Sequence, residues 1–485
     1  MAGSLKTIFK HAAIYGIAPL AGKAIGFLLI PLYTHYLTPK DYGIVELLSA
    51  FIVLAGIVVQ GGITAAVFKF YNSYTDKRDK DEVLGTVLAF VTLAALGFCL
   101  LSSIFAPAVS YAFLKDSGYG YFVILMLGSF FFSTVANIPE TYLMAEKKSK
   151  IFSFVSIGTL IVNLALNIYF VAVVKRGVEG ILYASLLARF INAGGLLMLM
   201  IPKTGFRVCW KKIGSILRFS IPLIPTELGM FAFGLSDRIF LSHFADLRSV
   251  GLYSLGSKFA FMISLLLIQP LMQTWQQEMY EVKRRVDAPC VFGNVFTCLV
   301  GLIAVSGVVL SICIKEVILL MADPQYLQAW RVVPVIALAY IFRFIYLFFQ
   351  MGMLFESKTG KLSLATTLGA AVILAMNFLW IPRYAEMGAA AAYLSAYLVL
   401  AGITLPMSQQ LYRIHIEVSR LFKLAVVVLI VYAGYQFISI QNVILSLLIK
   451  TTCLPALALA LWIVGFLREE EIKEIRRVIF ARSAA

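Results

Sequence analysis

The chain has 485 residues, of which 61% are hydrophobic and 14% charged, with a mean hydropathy of +0.90. No soluble core needs that much apolar surface, so a water-soluble protein is excluded and an integral membrane protein is expected. In a soluble chain the formal charge of +16 would suggest nucleic acid; here the cations fall in short loops between apolar runs, where they report on orientation, and no nucleic-acid partner is expected.

The first ten residues carry Lys6 and Lys10 and lead into a full-length apolar run without a small-residue cleavage site, so the first helix is expected to remain in place. That run holds Lys23 in an otherwise uncharged stretch from Ala12 to Thr34, interrupted by Pro19 and Pro31. A charge so deep in hydrocarbon is costly unless it faces protein or water, which makes Lys23 a candidate functional residue. Windows of about 20 apolar residues predict an all-α polytopic membrane protein with about 14 transmembrane helices. They fall at 11–36, 43–68, 83–113, 119–144, 151–174, 178–201, 213–242, 248–276, 290–320, 326–355, 361–381, 387–411, 421–440 and 443–467. The segment from Arg468 to Ala485 reads as a cytoplasmic amphipathic tail at the membrane surface. Alternate loops collect most of the 41 lysines and arginines, as in Lys77–Lys80, Lys147–Lys150 and Lys211–Lys212, which predicts that both termini are cytoplasmic.

Features recur at a nearly constant offset. Asn167 precedes Asn377 by 210 residues, as Glu146 precedes Glu356, while Gly43 precedes Gly251 by 208, as Gly180 precedes Gly388. The recurrence predicts two six-helix bundles, 1–212 and 213–412, followed by helices 13 and 14 in 413–467 and the tail 468–485. An even number of spans per copy keeps both copies in one orientation, a parallel pseudo-two-fold repeat with its axis along the membrane normal.

Two like bundles facing one another leave a cleft. Cations within the spans that could line it are Lys23 and Arg189 in the first bundle and Arg238, Lys258 and Arg343 in the second. Converging there, they would form a site for a phosphate-bearing anion, with ion pairing or snorkelling as the ordinary alternative for each. The acids Glu46, Glu140, Glu227 and Asp237 are candidates for carrying a coupling proton or sodium ion, or simple salt-bridge partners. Pro222 and Pro225 predict a broken seventh helix. The aromatic run from Tyr340 to Phe349 reads as packing more readily than as a sugar-stacking surface.

No GxxxxGK[ST] loop, metal-spaced histidine set or nucleophile elbow occurs, so neither an enzyme nor a resident cofactor or metal is expected. The six cysteines have no metal spacing and read as small core residues.

Three stretches carry a family resemblance: KAIGFLLIPLYTHYLTPKDYG from Lys23 to Gly43, SDRIFL from Ser236 to Leu241, and VGLYSLGSK from Val250 to Lys258. They resemble the polysaccharide transporter (Wzx-type) flippases of the multidrug/oligosaccharidyl-lipid/polysaccharide (MOP) exporter superfamily. The resemblance implies a bacterial inner-membrane protein of O-antigen or related polysaccharide biosynthesis. It would move an undecaprenyl-diphosphate-linked oligosaccharide from the cytoplasmic to the periplasmic leaflet by alternating access. A proton or sodium gradient or the membrane potential would drive it, and a polysaccharide polymerase is a candidate partner besides membrane lipid. A drug/cation antiporter or a peptidoglycan-precursor flippase of the same superfamily is the alternative, and a membrane polysaccharide polymerase is a further one, disfavoured by the short loops.

Overall fold

The computed structural model describes Gly22, residues 25–438, residues 440–466 and Arg468. These residues form helices and connecting turns, with no β-strand among them. In order the helices are α1 (Ile25–Tyr36), α2 (Pro39–Gln60), α3 (Ile63–Ser73), α4 (Lys77–Ile104), α5 (Ala106–Leu114), α6 (Gly120–Ala145), α7 (Ser149–Asn167), α8 (Gly177–Thr204) and α9 (Ile213–Ser220). There follow α10 (Ile224–Phe244), α11 (Leu247–Ile263), α12 (Gln269–Val282), α13 (Ala288–Met321), α14 (Val333–Phe355), α15 (Thr359–Leu411), α16 (Val418–Gln436), α17 (Val443–Thr451) and α18 (Cys453–Ile463).

Local chemistry sets several of these boundaries. The Thr38 hydroxyl accepts from the Asp41 amide at 3.2 Å while Asp41 accepts from the Thr38 amide at 3.0 Å, a capping box, and Pro39 supplies the fixed φ that starts α2. Asp76 caps α4 and Asn442 caps α17. Singly or joined across short breaks, the helices form 12 spans long and apolar enough to cross a membrane among the described residues. Apolar side chains turn outward: only 6% of the most apolar window of Ser149–Val173 is buried within the protein. Such a surface is stable only in lipid, so the chain is a multi-pass membrane protein.

Three expected single spans are interrupted by turns, whereas 248–276 runs on from α11 into α12 through a π-helical stretch, Ser264–Ile268. The run 43–68 breaks at Gly61 and Gly62, the run 83–113 breaks at Phe105 ahead of Pro107, and the run 443–467 breaks at Thr452 ahead of Pro455. The expected spans 361–381 and 387–411 lie within the stretch labelled α15, as two helices that meet at a kink where Ala385 is non-helical (φ 45°, ψ −125°). The first expected span is described only from its C-terminal half. Of the six cysteines, Cys313 and Cys453 are core residues as expected, whereas Cys290 is exposed.

The chain packs into two compact units, one comprising the chain up to Ser254 with Asn377–Ala389, the other Leu255–Met376 with the chain from Ala390. In the first unit α3, α4, α6 and α8 close on Val67, Leu84, Val87, Val91, Ala136 and Leu196. In the second, Trp275 stacks on Phe348 at 5.6 Å and Phe296 packs on Phe344 and Phe349, so most of the aromatic run on α14 is core, and its ordinary reading holds.

The repeat is visible as paired backbone contacts. In the first unit a Cβ at Gly43 would collide with the Leu247 carbonyl, and one at Gly251 with the Pro39 carbonyl; each residue stands 208 positions from its counterpart, so the contact is reciprocal. Within the first unit a Cβ at Gly85 would strike the Arg207 carbonyl, and within the second a Cβ at Gly293 would strike the His415 carbonyl, again 208 apart. Lys147 (φ 55°) and Ser357 (φ 54°) end α6 and α14 in the left-handed region, and each is followed by an amide bonded five residues back, Lys148 to Leu143 and Lys358 to Met353, at 2.8 Å. Lys175 (φ 57°), between α7 and α8, stands 210 residues before Ala385 (φ 45°), so the irregular residue in α15 occupies the position of a helix-to-helix turn in the first copy.

Candidate functional site

In the first unit two interrupted elements meet at their breaks. α2 ends and α3 begins at Gly61 and Gly62, where Gly62 adopts φ 70° and α3 has no side-chain cap. α9 and α10 are separated by a tight turn, Ile221–Leu223, containing Pro222, which bears out the expected broken seventh helix. A Cβ at Gly61 would lie 2.5 Å from Ile224 Cγ1, and one at Gly62 would lie 2.7 Å from the Ser220 carbonyl, so only glycine admits this approach. Glu227 Oε1 accepts from the Gly62 amide at 3.0 Å, which sets a carboxylate at the start of α3, where the helix dipole favours it.

Beside this junction is a cavity of about 630 Å³ lined by Gln60, Thr64, Ser133, Asn137 and Glu227, with Phe68 and Phe130 as apolar walls. Asn137 orders its polar side: its Nδ2 donates to Gln60 Oε1 at 3.0 Å, and its Oδ1 accepts from Thr64 at 3.1 Å. One turn further along α6, Glu140 accepts from Asn192 Nδ2 at 3.1 Å, and Asn192 in turn accepts from Thr159 at 2.8 Å.

A second cluster in this unit is ionic. Arg238 Nε lies 3.3 Å from Glu46 Oε2, and its Nη1 lies 3.1 Å from Asp237 Oδ1 and donates to the Gly234 carbonyl at 3.1 Å. Tyr253 donates to Asp237 Oδ2 at 2.5 Å, and its ring lies 5.8 Å from the guanidinium. One cation faces two carboxylates, with Arg238 and Asp237 only 8% and 3% exposed.

In the second unit the arrangement is reversed. Arg343 on α14 has its guanidinium 5.6 Å from the Tyr340 ring and 5.9 Å from the Tyr397 ring, and Tyr393 packs on both tyrosines, at 6.1 Å and 4.9 Å between centroids. Among the described residues no carboxylate pairs with Arg343. The result is a half-buried cation in a tyrosine cage, suited to an anion with polar and ring-shaped neighbours. Elsewhere in this unit Lys450 lies 2.6 Å from Glu316 and both are buried, an internal ion pair.

The family model for polysaccharide biosynthesis proteins matches residues 8–275, more than half of the chain. The chain belongs to this family. The Lsg locus protein 1 of Haemophilus influenzae is 26% identical over 270 residues, a match spanning 53% of this chain and 62%, less than two thirds, of that protein. The succinoglycan biosynthesis transport protein ExoT of Rhizobium meliloti is 20% identical over 345 residues, 69% of this chain and 66% of the relative. A solved structure of the lipid II flippase MurJ in an inward closed conformation superposes with a TM-score of 0.75 at 15% identity, over 92% of this chain and 98% of MurJ. An inward-facing multidrug resistance MATE family transporter of the MOP superfamily superposes with a TM-score of 0.63 at 13% identity, over 80% of this chain and 94% of the transporter. This family member therefore shares its fold with both of these structures.

The charged residues singled out from the sequence of this family member are not alike in their surroundings. Lys23 lies outside the described residues. Arg238 stands between Glu46 and Asp237, so the cation offered for an anionic ligand is held by two of the acids offered for ion coupling. Arg189 is exposed on α8, Lys258 is half-buried on α11, and Glu140 and Glu227 accept hydrogen bonds from Asn192 and Gly62. Sequence reasoning passed over Gln60, Thr64 and Asn137, which are uncharged; the Gly61–Gly62 doublet was their available signal. It also passed over Tyr393 and Tyr397, whose i, i+4 spacing puts both on one helical face beside Arg343.

Proposed function

We propose that this family member moves a lipid-diphosphate-linked oligosaccharide, with undecaprenyl as the lipid, from the cytoplasmic to the periplasmic leaflet by alternating access. The observation that carries the reading is Arg343, an intramembrane guanidinium without a carboxylate partner among the described residues, set among Tyr340, Tyr393 and Tyr397. A guanidinium can hold a phosphoryl group through two parallel hydrogen bonds in low dielectric, and tyrosine offers both a face and a hydroxyl to a sugar. Family membership and the shared fold support the reading. In it the bundles 1–212 and 213–412 rock about the substrate and 413–467 adds two peripheral helices, with both termini in the cytoplasm of a bacterial inner membrane; the amphipathic tail 468–485 lies, apart from Arg468, outside the described residues. Glu46 with Asp237, Glu140 and Glu227 are the places for a proton or sodium ion to drive the cycle, and a polysaccharide polymerase takes the product.

The test is transfer of a lipid-diphosphate oligosaccharide across proteoliposome membranes at equal protein insertion. Arg343→Ala should lower the transfer rate by about 10- to 100-fold, the worth of a charge-assisted hydrogen bond to phosphate, while Arg343→Lys recovers part of it. Undiminished transfer by Arg343→Ala would remove this residue from the substrate site. One observation favours a second reading, a drug/cation antiporter: the 630 Å³ cavity presents Glu227 together with neutral polar groups. Cation efflux from the same vesicles, without oligosaccharide transfer, would decide for it.

A further inference from the structure

At one end of the first unit the ends of α3, α4, α6 and α8 surround a cavity of about 540 Å³. Its inner side is polar and buried: Tyr71, Asp81, Tyr142 and Thr204 are each 4–6% exposed. Its rim carries Lys77, Lys80, Lys148 and Lys203. Four cations thus face two carboxylates, Asp81 and Glu146.

The internal bonds leave much of that charge available. Tyr71 donates to Glu146 Oε1 at 2.6 Å, and Lys148 lies 3.3 Å from Glu146 Oε2, so Glu146 serves to fix Tyr71 and Lys148 in place. Lys148 also donates to the Tyr142 hydroxyl at 3.0 Å, which leaves the Tyr142 proton to point elsewhere. Lys80 lies 5.2 Å above the Tyr71 ring. Among the described residues Lys77, Lys80 and Lys203 form no ion pair with a carboxylate.

We infer that this cavity is a binding site for a phosphoryl group, held by Lys80, Lys203 and Lys77 with the Tyr142 hydroxyl as a further donor. A phosphate diester or monoester matches the surplus of two positive charges, and ammonium groups are its ordinary point-charge partners. A lysine cluster that served only membrane orientation would need neither the cavity nor its buried hydroxyl-bearing inner side. The phosphoryl group can belong to an anionic lipid headgroup, since the cavity lies where the helices end, or to a free phosphorylated solute. The inference is independent of the transport reading.

The test uses the full chain purified in an uncharged maltoside detergent, with thermal unfolding followed during titration. The probes are phosphatidylglycerol against phosphatidylcholine in the micelles, and separately inorganic pyrophosphate without added lipid. The wild type should show a saturable rise in its midpoint. Lys80→Gln/Lys203→Gln should weaken the apparent affinity by about 10- to 100-fold, whereas Lys80→Arg/Lys203→Arg and Lys150→Gln, an exposed control, should keep it. Response to phosphatidylglycerol alone assigns the site to a membrane lipid, and response to pyrophosphate assigns it to a soluble phosphate. Should the double glutamine variant fail to fold, Lys77→Gln on the exposed rim gives the same reading at smaller amplitude. No saturable shift with either probe, or a shift that survives Lys80→Gln/Lys203→Gln or Lys77→Gln, overturns the inference.

Discussion

The Arg238 cluster permits a test of what buried charge does in this protein. The guanidinium reaches Glu46 at 3.3 Å and Asp237 at 3.1 Å, and the side chains of the three residues are 9%, 13% and 4% exposed, so none can be rescued by water if its partner is removed. Arg238→Met leaves two buried carboxylates without their cation. Breaking a buried pair in this way costs about 3–5 kcal/mol. Asp237→Asn is milder, because Arg238 keeps Glu46 and the asparagine oxygen can still accept from Tyr253; the loss should be that of a single charged hydrogen bond, about 1.5–3 kcal/mol. Neutralising all three, Glu46→Gln/Asp237→Asn/Arg238→Met, should recover most of the Arg238→Met loss, since an uncharged replacement of an ion pair is often neutral. The assay is reversible unfolding in mixed maltoside and dodecyl sulfate micelles, with the four proteins compared pairwise. Equal losses for Asp237→Asn and Arg238→Met, or a triple variant no better than Arg238→Met, would refute the claim that charge compensation holds this cluster together.

Other consequences can be checked on the same preparation. Gly85→Ala and Gly293→Ala should each cost about 1–3 kcal/mol, by similar amounts, because each methyl strikes a backbone carbonyl that cannot turn aside; Gly97→Ala, with open space around it, should be neutral or slightly stabilising in the same unfolding assay. Glu227→Ala should cost about 1–3 kcal/mol by leaving the Gly62 amide without its acceptor, and Glu227→Gln should recover part of that in the same titration. Glu146, in the turn after α6, has its pKa held below the ordinary 4.5 chiefly by the hydrogen bond from Tyr71, with Lys148 adding to it against the opposing effect of burial. Its contribution to stability is therefore present above pH 4.5 and lost as pH falls through the lowered value, so wild type and Glu146→Gln melting curves should converge on acidification. Lys148 is shifted the other way: burial acts downward, but Tyr142 and Glu146 outweigh it and raise its pKa above 10.5, so its contribution holds below that pH and fades in stronger base.

The helical class and the duplication were legible because both are written in local patterns, hydropathy windows and residues recurring at 208–210 positions. The breaks at Gly61–Gly62, Phe105 and Thr452 were passed over because each lies inside an apolar run long enough to span, so a hydropathy window averages across it, although the glycine doublet, Pro107 and Pro455 mark them. The role of the charges was only half legible. That Arg238 is intramembrane follows from its neighbours in sequence, but one of its partners, Glu46, is 192 residues away, and Glu316 and Lys450 are 134 apart. Only packing could tell that Arg238 is compensated while Arg343 meets tyrosines.

The reciprocal contact of Gly43 and Gly251 has an implication for how such a chain can change. When residue i touches j and j touches i through the same surfaces, the contact has the form of an isologous dimer interface, here folded into one polypeptide. In a pair of half-length chains it would be a single glycine meeting its own copy, and one mutation would alter both sides together. After fusion the two sides are separate codons, yet neither can acquire a side chain unless the facing backbone withdraws, so the two halves of the chain stay bound to a shared history at this contact.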